Sequence, residues 1–153
     1  MRLEETNSVL VRGKFTVPSS RDAVYNLMSD PAKVVQCVPG LQSYALEEGK
    51  RVSATVKISF GFIRSVFQAT SKVVNEDPVA HKATLELNGS GAGSSFSGSV
   101  DLSVEGDEST SELEWTANVS VNGPLGGLAK PLLEGYIKKV VDQTFSCVET
   151  KLS

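Results

Sequence analysis

Residues Asn122–Ser153, NGPLGGLAKPLLEGYIKKVVDQTFSCVETKLS, close the chain and decide how the rest must fold. Leu125, Leu128, Leu132, Leu133, Tyr136, Ile137, Val140, Val141, Phe145, Val148 and Leu152 recur at steps of three and four. That spacing gathers them on one face of a helix. Glu134, Lys138, Lys139, Asp142 and Glu149 fall mostly on the other side. As one helix the stretch would run roughly 40 Å. A helix so long and so one-sided needs a broad apolar surface to lie on, and the preceding residues read as the strands that supply it.

Working back to the start, Ser8–Val17 (SVLVRGKFTV) places Val9, Val11, Phe15 and Val17 on one alternating set, the mark of a strand with one buried face. Gly13 within it suggests a bulge or a close approach. After Pro18, Ser19 and Ser20 offer an N-cap to a short helix over Arg21–Met28. Asp30-Pro31 then restarts a second helix, PAKVVQCV, which stops at Pro39-Gly40.

From Leu41 the period becomes two. Strands are expected over Ser43–Glu47, Arg51–Phe60, Ile63–Asn75, Lys82–Asn88, Phe96–Glu105 and Ser111–Val121. Turns are marked by Glu48-Gly49-Lys50, Gly61, Asp77-Pro78, the glycine run Gly89–Gly93 and Gly106-Asp107-Glu108. With no helical stretch between them, these strands should pair as an antiparallel meander. The reading is α+β: one domain over residues 1–153, a seven-stranded curved sheet wrapped around the long helix, and two short helices closing one end.

Small residues fall where sheet and helix should face each other: Ala54, Ala69 and Ala117 on strands, and Gly126, Gly127 and Ala129 at the start of the helix. They either let the layers touch or leave a void. Interiors are normally dense, so the void is expected only because this architecture is commonly hollow.

The chain has 153 residues and a net charge of −3, and no cluster of Lys and Arg tracks phosphates, so nucleic-acid binding is not expected. MRLEETNSVL is too polar for a signal peptide, and no apolar run approaches a membrane span. Cys37 and Cys147 have no metal-ligand spacing and read as two reduced, partly buried thiols of a cytoplasmic protein. The single histidine, His81, reads as a solvated turn residue. No metal site and no nucleophile–base arrangement can be assembled, so no catalytic residue, metal or cofactor is expected. The run Gly89–Gly93 lacks the Gly-Lys-Ser/Thr ending of a phosphate loop and reads as a bent, flexible loop at the mouth of the assembly, able to gate entry. The remaining acid–base candidates are Tyr44, Glu86, Asp101 and Tyr136. Glu86 and Asp101 should face water, and Tyr136 should face inward.

The element order is similar to that of the helix-grip fold of START-like, birch-pollen-allergen-like and polyketide-cyclase-like proteins. One branch is closer. GKFTVPSSRDAVYNLMSDP, CVPGLQS, ATVKISFGFIRSVFQAT, GSGAGSSFSG and GPLGGLAKPLLEGYIKKVVDQTFSCVE resemble the carbon monoxide dehydrogenase G-subunit family along nearly the whole chain. Cys37-Val38-Pro39-Gly40 and the GPLGGLAKPLL segment are the most specific pieces; they are family signatures and not catalytic motifs.

The resemblance implies an accessory protein of a molybdenum hydroxylase system. Such a protein would help assemble or anchor the enzyme, or carry an apolar, quinone-like ligand in the grip. Some members carry a C-terminal extension that contacts the membrane. This chain ends just after its long helix, so at most transient membrane contact is expected. The expected function is therefore a non-enzymatic binding protein with a cavity lined by Leu27, Val56, Phe67, Ala69, Trp115, Leu132, Tyr136 and Val140. A cyclase or hydratase on the same fold is the first alternative, and an assembly factor with a filled core is the second.

Overall fold

A computed structural model describes residues 6–60 and 63–152. The expected turn at Gly61 and the residues before Thr6 lie outside them. The elements follow in the order β1 (Thr6–Val17), α1 (Arg21–Met28), α2 (Pro31–Val35), β2 (Leu41–Glu47), β3 (Arg51–Phe60), β4 (Ile63–Asp77), β5 (Lys82–Gly91), β6 (Ser94–Gly106), β7 (Ser111–Asn122), a 3-10 helix (Pro124–Gly127) and α3 (Lys130–Thr150). The strands form one seven-stranded sheet in the order β1-β7-β6-β5-β4-β3-β2, with every pairing antiparallel. This is the helix-grip arrangement.

Local chemistry sets the helix boundaries. Ser20 Oγ accepts from the Ala23 N–H to cap α1, and Asp30 Oδ1 accepts from the Ala32 N–H to cap α2, with Pro31 in its first turn. The terminal helix begins later than its periodicity suggests. Pro124 starts a separate 3-10 turn, Leu128 and Ala129 are extended, and α3 starts at Lys130. Its 21 residues span about 32 Å. The glycine run is also different from the expected loop. Gly89–Gly91 belong to β5, and the connection to β6 is the two-residue turn Ala92-Gly93, with φ of 53° and 77°. Two successive positive φ values make this a tight hairpin of the primed type, not a loose gate.

Paired residues in an antiparallel sheet share a face, so the register gives the inner face row by row. Towards one end, Ala83–Leu102–Trp115–Gly13 and then Val104–Leu113–Phe15 form consecutive rows. Phe15 stacks on Phe145 of α3 with centroids 3.9 Å apart. α1 packs over β6 and β7 and adds the buried Val24 and Tyr25 to the same core cluster. This end is solid. Gly13 is a close-approach point and not a bulge: the register is unbroken, and a Cβ there would lie 2.8 Å from Trp115 Nε1.

Towards the other end the rows are Ala54–Ala69–Gly89–Phe96–Val121 and Val52–Ser71–Leu87–Gly98–Val119. Alanine, serine and glycine now hold five of these places. The sheet surface drops away there from α3, and the fold is hollow.

Candidate functional site

The hollow offers about 310 Å³ between the sheet and α3, within the size range of small-molecule sites. Val52, Ala54, Val56 and Ile58 of β3 form one wall. Phe67, Ala69, Leu87, Phe96, Val100, Ala117 and Val119 carry the lining across the sheet. From α3 come Leu133, Tyr136, Ile137, Val140 and Val141, which repeat at helical spacing. Val35, Val38 and Pro39 from α2 and the turn after it, and Leu125 of the 3-10 helix, complete the lining, which leaves the hollow partly open. Ser71 and Tyr136 contribute the polar side chains; Thr70 borders the hollow from the alternate register between Ala69 and Ser71. No charged side chain and no histidine is among the described lining residues.

The lining segment after α2 is held at both sides. Cys37 and Cys147 are joined by a disulfide, with Cα atoms 5.5 Å apart, tying the turn after α2 to the far part of α3. This corrects the expectation of two free thiols. The cysteines are 110 residues apart, and only the packing of α2 against α3 brings them together. With the thiols joined, the cysteines no longer point to a cytoplasmic location. On the other side, the Lys57 N–H donates to the Gly40 carbonyl. Gly40 has φ +83°, and a Cβ on it would meet the Lys57 carbonyl oxygen. The Cys-Val-Pro-Gly signature is thus a wall piece pinned by a covalent bond at its first residue and by a glycine-only approach at its last.

Of the eight expected lining residues, Val56, Phe67, Ala69, Tyr136 and Val140 come together around the cavity. The other three do not. Trp115 is buried in the solid end over Gly13, with the Lys138 ammonium 6.0 Å above its ring. Its alternation is inward, as expected, but its row lies beyond the hollow. Leu27 packs in a separate small cluster with Cys37 and Val148. Leu132 is 56% exposed, whereas its neighbour Leu133 is buried. Sequence reasoning missed Ser71, Gly89 and Gly98 as members of the hollow rows: Gly89 because a glycine run resembles a loop until its register is known, Ser71 and Gly98 because a polar residue or a glycine in a strand does not say which face it takes.

The acid–base candidates separate clearly. Glu86 and Asp101 are exposed, the latter accepting from the Thr84 hydroxyl, and Tyr44 is exposed on β2. Only Tyr136 borders the cavity, where burial raises its pKa above the usual tyrosine value. His81 is not a solvated turn residue. Its Nε2 is hydrogen-bonded to Asp22 Oδ1 and its ring meets Tyr25 edge-on at 5.3 Å. The contact fastens the β4–β5 turn to α1, reinforced by Arg21, which donates to the Ala80 and Val104 carbonyls. A second, outer cleft of about 480 Å³ lies beside α1 and α2 and is lined in part by Asp30, Leu46, Glu47, Lys50, Arg51 and Glu76. Its cations are already paired, Lys50 with Glu76 and Arg51 with Glu47. Among the described residues no helix is long and apolar enough to cross a membrane, and no group of acidic, His and Cys side chains could hold a metal ion.

Known proteins bear on this arrangement in two ways. Among solved structures, a conserved protein from Geobacillus kaustophilus is similar at a TM-score of 0.81 and 17% identity, covering 98% of this chain and 95% of that one. The Zhui aromatase/cyclase from Streptomyces sp. R1128 is similar at 0.66 and 12% identity, covering 95% and 94%. A START superfamily protein from Mycobacterium smegmatis is similar at 0.66 and 15% identity, covering 94% and 96%. At such identities the likeness is one of fold. Among curated proteins, none is similar in sequence. The family model for the carbon monoxide dehydrogenase G subunit (CoxG) matches residues 13–153, from the middle of β1 through α3 and therefore through every wall of the cavity. The chain belongs to the carbon monoxide dehydrogenase CoxG family.

Proposed function

We propose that this protein is a non-enzymatic binding protein that holds an apolar, quinone-like small molecule between sheet and α3 and serves a molybdenum hydroxylase. One observation carries the reading: a hollow between sheet and α3, open in part to solvent, whose lining is aliphatic and aromatic apart from Thr70, Ser71 and Tyr136. Binding there would be driven by removal of apolar surface from water, with a hydroxyl or two to orient the guest. The lack of charged groups in the described lining favours an uncharged guest, since a buried charge without a partner is costly. A cyclase or hydratase would need an acid or base at the guest. The side chain available is Tyr136, and burial makes its ionisation harder. A filled-core assembly factor does not fit the hollow, whereas contact with a hydroxylase complex is compatible with it and forms part of the proposal.

The test is mass spectrometry of an organic extract from protein purified under mild conditions. A stoichiometric uncharged apolar compound is the expected result. An extract free of such a compound, from protein that also refuses apolar probes when titrated, would refute the reading. For the partner, co-purification of hydroxylase polypeptides with the tagged chain is expected; their absence from an intact, cavity-competent preparation would remove that half.

A further inference from the structure

Two aromatic rings form the floor of the hollow, and both lie down on glycines of β5. Phe67 is fully buried and sits beside Gly91. Phe96 is paired directly with Gly89 across the β5–β6 ladder. The ring centroids are 6.4 Å apart. A Cβ placed on Gly89 would collide with the Phe96 ring at Cζ and Cε2. Carbon atoms rest at about 3.5–4.0 Å, so no side chain at residue 89 coexists with the ring as it lies. Gly91 differs: a Cβ there also meets the Val66 carbonyl at 2.6 Å, so its constraint involves backbone as well as ring. At Gly89 the nearest obstacle is the Phe96 side chain alone.

We propose that Gly89 and Phe96 together set the depth of the cavity, and so the bulk of the guest it accepts. The ring has the sheet beneath it, Phe67 to one side and the cavity above. Displaced by a Cβ at residue 89, it must rise into the cavity and shorten it. Removal of the ring by Phe96→Ala deepens the cavity. This rests on the ligand-binding reading above, but it makes a separate claim about which residues select the guest.

The experiment is a calorimetric titration of 1-hexanol, 1-octanol, 1-decanol and 1-dodecanol into the wild type, Gly89→Ala, Phe96→Ala and the double variant. Gly135→Ala serves as a control, because a Cβ there meets nothing within 4 Å. The proposal expects Gly89→Ala to weaken the longest alcohol that the wild type binds by about tenfold, the worth of losing contact with roughly two methylenes, while shorter alcohols bind as before. Phe96→Ala should shift the preference to longer alcohols, and adding Gly89→Ala to it should change nothing further, since no ring remains to be lifted. An unchanged length preference in folded Gly89→Ala overturns the proposal, as does an equal shift in the Phe96→Ala background. If the wild type binds no alcohol and its extract is also empty, the ligand reading itself fails. Xenon occupancy in crystals then judges the depth claim alone: less xenon in Gly89→Ala supports it, and equal or greater occupancy overturns it.

Discussion

Gly40 and Tyr136 show how much rests on single residues. Gly40 combines a left-handed φ of 83° with a carbonyl oxygen where a Cβ would go. Gly40→Ala should therefore lose about 2 kcal/mol or more of stability, through backbone strain and displacement of β3 from the Cys-Val-Pro-Gly segment. A urea titration comparing midpoints checks this; a midpoint equal to the wild type would show that the segment is not pinned. Tyr136 is held above the ordinary tyrosine pKa by burial. As pH rises past the ordinary value, the unfolded chain gives up this proton while the folded chain keeps it, so stability falls with increasing pH through the raised pKa. Tyr136→Phe should lose less stability than the wild type between about pH 9 and about pH 11, read from denaturation midpoints at both. An identical loss would place the ring in water. At this scale the sequence was readable where alternation sufficed, as at Val56, Phe67 and Ala69. It was not readable at Leu132 and Leu133, because adjacent residues on a helix differ by about 100° and a broad apolar stripe contains both. Which of them meets the sheet depends on how α3 is rotated, and periodicity does not report that.

The elements divide the labour between a solid end and a hollow end, and the disulfide fastens a wall of the hollow end to α3. Cys37–Cys147 bridges 110 residues. In the chain-entropy view a loop of that size contributes about 5 kcal/mol, chiefly by restricting the unfolded chain. The Cys37→Ser, Cys147→Ser double variant should be less stable by up to about this amount, and a reductant should lower the wild-type melting temperature without affecting the variant. Equal melting of wild type and variant would show that the bridge does not form in solution. At the solid end, Phe145→Ala removes the partner stacked on Phe15 and should cost about 3–5 kcal/mol by chemical denaturation. Strand existence, order and turn positions were legible because the period-two pattern and the Gly, Pro and Asp punctuation are local signals. The bridge was not, since nothing in the spacing of two distant cysteines says that α2 will touch α3. The β5–β6 connection was misread for a related reason: glycines that serve close packing beneath Phe67 and Phe96 look, in sequence, like glycines that serve a loop.

For the whole molecule, the central fact is a helix-grip fold in which rows of small side chains leave a void between sheet and helix. The architecture followed from a single one-sided helix preceded by six consecutive strands. The cavity followed only in part: Ala54, Ala69 and Ala117 were visible candidates and all three line it, but the depth of the void also depends on Gly89, Gly98 and Ser71 in the neighbouring strands, and the ladder register that aligns them is not a local signal. Trp115 makes the same point in reverse, since it faces inward yet stands in the solid rows. The most direct measurement is a calorimetric titration of a short-chain naphthoquinone into the wild type and into Ala69→Phe, a substitution that fills the hollow from its floor. One-to-one binding to the wild type, with a negative heat-capacity change and at least about tenfold weaker binding to the folded variant, is the predicted result. Equal binding to both proteins, or none to the wild type, would contradict the cavity as the seat of function.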